Sequence, residues 1–335
     1  MKSRRILPYY HPSTVMFVDD NERFLDSFTL LLSERLSFRC FSSTSSALSF
    51  VDNSTSLPAL DKRCVSFLGA QHRPGGALRL DLALVEQEIS NPERFRDISV
   101  IVVDYDMPEM NGLDFCRSIQ NRRIKKVLLT GVGDEKVAVR AFNDGLIDRF
   151  LTKNDPQIGE KINQTISDLQ RRYFEDISSL IQSTLEMKSP EFLLDSKFTN
   201  LFDKLIRQYD IVEYYYVEDP NGFLMVSHHG KLYRLVIFSE TQADEQIFLA
   251  RKHNPPESVI RKLKSHQFII WLWEHPDENG GPEDFYWDEY MHSAQVFQGT
   301  TPWLYAVVEN PPADIEYNEG ESSYSAHLRN IDQTG

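Results

Sequence analysis

The stretch IVVDYDMPEMNGLDF, residues 101–115, decides how this chain is read. Its apolar run from Val100 to Val103 has no polar alternation, so it fits a strand buried on both faces, and it stops at Asp104. Pro108 and Gly112 then turn the chain into a helical segment at about 112–120. The same sentence structure recurs on either side. Val15 to Val18 runs into Asp19 and Asp20, Lys126 to Leu129 ends at Thr130, and Arg149 to Thr152 ends at Lys153. A short strand, Phe38 to Phe41, follows a helical stripe at residues 22–35, and another helix is expected at 134–143. This alternation predicts an α/β domain: a doubly wound, five-stranded parallel sheet with helices on both faces.

In such a sheet the carboxyl ends of the strands converge on one crevice. Asp19, Asp20, Asp104, Thr130 and Lys153 then meet there, from four strands. Carboxylates packed together do not all stay ionised without a cation. Mg²⁺ suits them, because it takes hard oxygen ligands and retains waters for an incoming phosphoryl oxygen. Lysine and threonine complete a phosphoryl site, the ammonium as a charge partner and the hydroxyl as a donor. Taken singly, each of these residues also reads as a helix cap, a turn residue or a solvated tip.

The constellation resembles the receiver domain of two-component response regulators, a flavodoxin-like fold. FVDDN at 17–21 carries the acidic pair, and IVVDYDMPEMNGLDF the phosphoacceptor strand with its Met-Pro-x-Met-x-Gly turn. LLTGVGDE at 128–135 is similar to the switch-threonine strand and RFLTKND at 149–155 to the lysine strand. The resemblance implies that Asp104 accepts a phosphoryl group from a sensor histidine kinase. It implies further that Asp20 and Asp104 bind Mg²⁺ with the carbonyl of Asp106, and that Asp19 orients a metal-bound water. Thr130 and Phe150 match the switch pair, and Lys153 the contact to the aspartyl phosphate. The chain departs from the family pattern at two positions. Asn154 follows Lys153 where receivers commonly carry proline, and Asp106 stands where many carry a neutral residue.

The receiver is expected over 12–156, interrupted by an insertion at about 52–97. There ALRLDLALVEQEI, residues 77–89, reads as one amphipathic helix, and the whole as an excursion from the domain, the alternative being an accessory surface. Residues 157–189 read as a prolonged fifth helix. Ile162, Ile166, Leu169, Tyr173, Ile177 and Leu180 step by three and four, the average of a coiled-coil seam. The helix outlasts the sheet it packs on, so its distal half needs another apolar partner, either a second copy of the chain or the domain that follows; flanking charges of both signs favour a homodimer through this helix. Residues 190–310 read as an α+β output domain containing a three-stranded antiparallel meander, and 311–335 as a flexible tail.

Charge narrows the output. Residues 1–189 carry 25 Lys+Arg against 26 Asp+Glu, and residues 190–335 carry 11 against 24. Such a surface repels phosphate backbones, so nucleic acid is a poor partner. The architecture resembles atypical response regulators with a non-helix-turn-helix output, such as the Legionella-type quorum-sensing group. The expected output is a protein contact or dimerisation; the alternatives are a DNA-contacting regulator and a domain with nucleotide or small-molecule enzymatic or ligand-binding activity. His228 and His229 read as neighbours on opposite strand faces, Glu289-x-x-His292 as part of an amphipathic helix, and Trp271, Trp273, Trp287 and Trp303 as core aromatics. The 335 residues contain no apolar run of membrane-spanning length and no secretory leader, so the expected location is cytoplasmic. Cys40, Cys64 and Cys116 lack metal-like spacing and read as reduced thiols.

Overall fold

The computed structural model describes residues 5–53, 60–68, 77–131, 133–188, 191–271, 287–311 and 317–331. In chain order its first strands are β1 (Tyr9–Tyr10), β2 (Thr14–Val18), β3 (Phe38–Phe41), β4 (Val65–Leu68) and β5 (Ala77–Leu80). There follow β6 (Ile98–Asp104), β7 (Lys125–Thr130), β8 (Arg149–Thr152), β9 (Ile211–Val217) and β10 (Gly222–Ser227). The last are β11 (Leu232–Ser239), β12 (Phe268–Ile270), β13 (Met291–Ser293), β14 (Gln295–Gln298) and β15 (Pro302–Glu309). The helices begin with α1 (Glu22–Thr29), α2 (Thr44–Asn53), α3 (Leu60–Cys64), α4 (Ala83–Gln87) and α5 (Gly112–Ser118). They continue with α6 (Glu135–Asn143), α7 (Ile158–Lys188), α8 (Ser196–Gln208), α9 (Glu240–Arg251) and α10 (Glu257–Lys264). Last come α11 (Trp287–Tyr290), α12 (Glu319–Ser322) and α13 (Tyr324–Asn330).

Two compact units result. One comprises His11–Arg63, Asn91–Leu180 and Tyr324–Gly335; the other comprises Met1–Tyr10, Cys64–Ser90 and Ile181–Ser323. The first holds the expected five-stranded sheet, in the order β3-β2-β6-β7-β8 and parallel throughout. Alternation along its strands builds two cores. Met16, Val18, Ile101, Val103 and Leu128 face α2, α5 and α6, while Val15, Phe17, Val100, Val102 and Val127 face α1 and α7. Burial on both faces is why the strands read as unbroken apolar runs. The helix expected over 22–35 ends at Thr29, and Leu30 and Leu31 are exposed beyond it.

The expected dimer seam is not an open surface. Ile162, Ile166 and Leu169 are buried at 2% exposure or less in the core formed with β2, β6 and α1, and Tyr173 and Ile177 are buried too. Of the six seam residues only Leu180 is exposed. Heptad-like spacing reports that a helix has an apolar stripe, not whether its partner is another copy or its own sheet.

The flexible tail is likewise corrected. Residues 319–322 and 324–330 are helical, and Tyr324 is buried. Its hydroxyl accepts from the Ser37 N–H at 2.9 Å and donates to the Arg35 carbonyl at 2.8 Å, while its ring packs 5.2 Å from that of Phe95. His327 Nε2 adds a hydrogen bond to Ser37 Oγ at 3.1 Å. Polar composition hid this docking because two aromatic groups carry it.

The second unit is a six-stranded antiparallel sheet ordered β1-β9-β10-β11-β15-β14. The expected meander β9-β10-β11 is its centre, extended by β1 on one edge and by β15 and β14 on the other. Its aromatic face packs against α8, with Phe202 4.7 Å from Phe223 and 5.0 Å from Tyr214 between ring centres. The helix expected over 77–89 is instead the strand β5, hairpin-paired with β4, followed by the short helix α4. Residues 64–90 therefore belong to this unit rather than forming an excursion from the receiver. Short apolar runs such as ALRL satisfy strand and helix periods alike. Of the insertion, residues 54–59 and 69–76 lie outside the described residues, as do Trp273 and the loop after it. Among the described residues no helix is long and apolar enough to cross a membrane.

Two outcomes follow. Ile166→Ala should destabilise the monomer by about 2–5 kcal/mol, the cost of a cavity at a core position, as read by denaturant unfolding; a seam residue at a dimer interface would leave monomer unfolding unchanged. Tyr324→Phe should cost roughly 1–3 kcal/mol, because a buried N–H and a carbonyl lose their partner. Unaltered unfolding would show that the C-terminal helix is not docked.

Candidate functional site

β2 and β6 are neighbours in the sheet, and it is between them that the strand order reverses. Side chains leaving their carboxyl ends enter the same crevice. Asp19 follows β2 and Asp104 ends β6; both are buried, at 1% and 6% exposure. Lys153, just past β8, reaches between them. Its Nζ lies 2.6 Å from Asp19 Oδ2 and 2.8 Å from Asp104 Oδ1. Asp20 is exposed at the rim, and carboxylate oxygens of Asp19, Asp20 and Asp104 lie within 4.8 Å of one another.

Local structure holds each group. The Asn21 N–H donates to Asp19 Oδ1 at 3.0 Å, while the Asn21 side chain caps α1 by accepting from the Phe24 N–H. The Tyr105 N–H pairs with the Leu129 carbonyl and the Gly112 N–H with the Tyr105 carbonyl, which folds the loop after Asp104 back on itself. A Cβ on Gly112 would stand 2.1 Å from the Asp104 carbonyl oxygen, so this close approach requires glycine. The Lys153 N–H donates to the Thr130 carbonyl at 3.0 Å, linking the ends of β7 and β8. Beyond Lys153, where proline is absent, the Asp155 N–H closes the turn onto the Thr152 carbonyl.

Burial opposes charge on Asp104 and raises its carboxyl above the ordinary value of 3.8; the Lys153 hydrogen bond pulls the other way, and Asp19 adds repulsion. For Lys153 burial also disfavours the charged form, but the hydrogen bonds it donates to Asp104 and Asp19 prevail and raise the ammonium above 10.5. Three clustered carboxylates, two of them buried and one made costly to ionise, are a donor set that fits Mg²⁺. Asp106, expected to contribute its carbonyl to the metal, has an exposed side chain, and its carboxylate lies outside the cluster.

Thr130 is fully buried, and its hydroxyl donates to the Leu151 carbonyl at 3.4 Å. Phe150 is half-buried against the core that contains Leu128, its register partner across β7 and β8. Phe24 falls within the apolar helical stripe over residues 22–35, with nothing to mark it as part of the site. Its ring in fact lies 4.3 Å from Lys153 Nζ, a cation–π contact that props the ammonium from below. The signal available was its place in the first helical turn after the acidic pair.

The output-domain candidates do not assemble. His228 and His229 lie in the turn after β10, not on a strand, with ring centres 5.3 Å apart. Glu289 is in α11 but His292 is in β13, so the helical spacing that would make them joint ligands is broken. Trp271, Trp287 and Trp303 are buried, as core aromatics should be.

A lysine-bridged pocket of carboxylates at the switch point of a five-stranded parallel sheet defines the receiver class. Agreement comes from a family model, the response regulator receiver domain, which matches residues 85–163. The response regulator LqsR of Legionella pneumophila is 34% identical over 98% of this chain and 98% of its own, with a TM-score of 0.75. The chain belongs to the response regulators, with a receiver and an output domain built on an antiparallel sheet rather than on a helix-turn-helix. The cyclic di-GMP phosphodiesterase response regulator RpfG of Xanthomonas campestris pv. campestris (strain 8004) is 40% identical over 60 residues. That match spans 17% of this chain and only 16% of the length of RpfG.

The raised Asp104 carboxyl sets a pH signature. Folding favours its protonated form, so its contribution to stability is complete below pH 3.8 and is lost as pH rises through the higher folded value. Asp104→Asn should therefore melt several degrees above the wild type at pH 7 in the absence of divalent ions, with the gap closing towards pH 4. A gap that widens on acidification would mean that Lys153 overcompensates the burial.

Proposed function

We propose that this response regulator takes a phosphoryl group on Asp104 from the phosphohistidine of a sensor histidine kinase. The observation that carries the reading is the Lys153 ammonium at 2.6 and 2.8 Å from two buried carboxylates, with Asp20 completing the cluster. In the transfer an Asp104 carboxylate oxygen attacks phosphorus. The bond from phosphorus to the donor imidazole nitrogen breaks and its electron pair stays on that nitrogen; a proton already on the other ring nitrogen, or one taken from solvent, lets the imidazole leave neutral. Asp19, Asp20 and Asp104 would hold Mg²⁺, which when bound neutralises charge on the phosphoryl oxygens. Lys153 moves from the Asp104 carboxylate to a phosphoryl oxygen, keeping Asp19 as its other partner.

The switch rests on Thr130 and Phe150. A phosphoryl group adds acceptor oxygens beside the buried Thr130 hydroxyl, a stronger partner than the 3.4 Å contact it now makes to Leu151. Thr130 turns towards it and Phe150 follows into the space released. The route onward is α7, which starts shortly after Lys153 and is continuous to Lys188. The output population shifts by no more than the phosphoryl group's differential preference for the two states. The strong negative charge of residues 190–335 supports a protein contact rather than DNA as the output.

Incubation with Mg²⁺ and radiolabelled acetyl phosphate or a cognate kinase should label the wild type. Asp104→Asn should lose the label, and Asp20→Asn should need far more Mg²⁺ to reach it. Wild-type labelling of Asp104→Asn would remove this aspartate as acceptor.

A further inference from the structure

In the six-stranded unit, Phe238, Leu249, Ala250, Ile270, Trp271 and Trp287 line a cavity of about 190 Å³. Asp219, Pro220, Gln246 and His253 complete its wall. The lining is thus mostly apolar, with three aromatic rings, and Asp219, exposed in the turn between β9 and β10, is the one lining carboxylate among the described residues.

The walls are clamped. The Gln246 amide donates to the Ile270 carbonyl at 2.5 Å and accepts from the Ile270 N–H at 3.1 Å, fixing α9 against β12. The Arg234 guanidinium donates to the Pro220 carbonyl and lies 5.7 Å from the centre of the Trp271 ring, holding the turn and one aromatic wall together. The Trp271 N–H donates to the Tyr290 carbonyl at 2.9 Å, and a capping box of Ser239 and Gln242 sets the start of α9. Ala250, buried on α9, leaves the space unfilled where a larger apolar residue would occupy it. The cavity is open to solvent on one side and its walls are clamped, which is the build of a preformed ligand site.

Size and charge select the ligand. An apolar cavity of about 150 Å³ accepts benzene, so this one suits a body of one or two fused rings. Residues 190–335 carry 24 Asp+Glu against 11 Lys+Arg, a field that draws cations and repels anions. An ammonium is also attracted by aromatic ring faces and is neutralised by a carboxylate. We propose that the cavity binds a small aromatic amine, its ring seated against Phe238, Trp271 and Trp287 and its ammonium on Asp219. The site is independent of the phosphoryl pocket and stands or falls separately from it.

The test uses the full-length protein and three probes with the same ring: tryptamine, indole and indole-3-acetate, titrated calorimetrically. Tryptamine should bind roughly tenfold tighter than indole, the worth of one ion pair at a ring-lined site, and indole-3-acetate should bind weakest. Asp219→Asn, an exposed change, should bring tryptamine down to the affinity of indole and leave indole unaltered. Ala250→Leu should abolish binding of both without lowering the melting temperature, and Ala250→Val should weaken it if the leucine variant melts early. Indole-3-acetate binding as tightly as tryptamine, tryptamine binding unaffected in both Ala250 variants, or no heat from any probe at millimolar concentration would each overturn the assignment.

Discussion

One ammonium between two buried carboxylates is the constraint around which the receiver is arranged. At an effective dielectric of about 20, unit charges some 3–4 Å apart interact by roughly 4 kcal/mol. Asp19 and Asp104 would repel each other on that scale, and Lys153 offsets the repulsion by pairing with both. The compensation is incomplete, because burial still raises the Asp104 carboxyl. A site in this condition gains from any cation that binds the folded state and not the unfolded one. The same residual cost makes Asp104 responsive to any change in the charge balance around it.

Holding that balance explains local features with no other purpose. The turn after Asp104 has to pass so close to the strand end that only glycine fits at position 112. The Asn21 backbone fastens one oxygen of Asp19 while Lys153 takes the other. Phe24 supplies a π-face to the ammonium, and the backbone bond from Lys153 to Thr130 ties the charged residue to the buried hydroxyl. The carboxylate pocket and the buried Thr130 hydroxyl are thus adjacent through one hydrogen bond between strand ends.

The receiver was legible because its information is local. Apolar runs buried on both sides and ending in a charged or hydroxyl residue mark the strands and the residues of the pocket without knowledge of any distant contact. Phe24 escaped because an aromatic residue in an amphipathic stripe looks the same whether it faces the core or a lysine from another loop. The output sheet was legible only at its centre, where Asp219-Pro220-Asn221-Gly222 joins β9 to β10. Its edges come from Tyr9–Tyr10 and from β15 and β14, far downstream of β11, pairings that no local period announces. The insertion and the C-terminal helix failed for a related reason: both were judged by composition, and both are placed by contacts across long stretches of chain, Tyr324 to Ser37 among them.

The long helix shows how a correct period can carry a wrong partner. Ile162, Ile166 and Leu169 step as a seam does because any helix lying on an apolar surface must present one stripe to it. In this chain that surface is the face of Val15, Phe17, Val100 and Val102. The consequence for signalling is stricter than a dimer seam would have been. A helix whose first turns are part of the receiver core cannot change its packing without changing that core, so α7 is restricted to small, discrete rearrangements. From Ile158 to Leu180 the helix is therefore a stiff element seated in the receiver unit, and not a hinge.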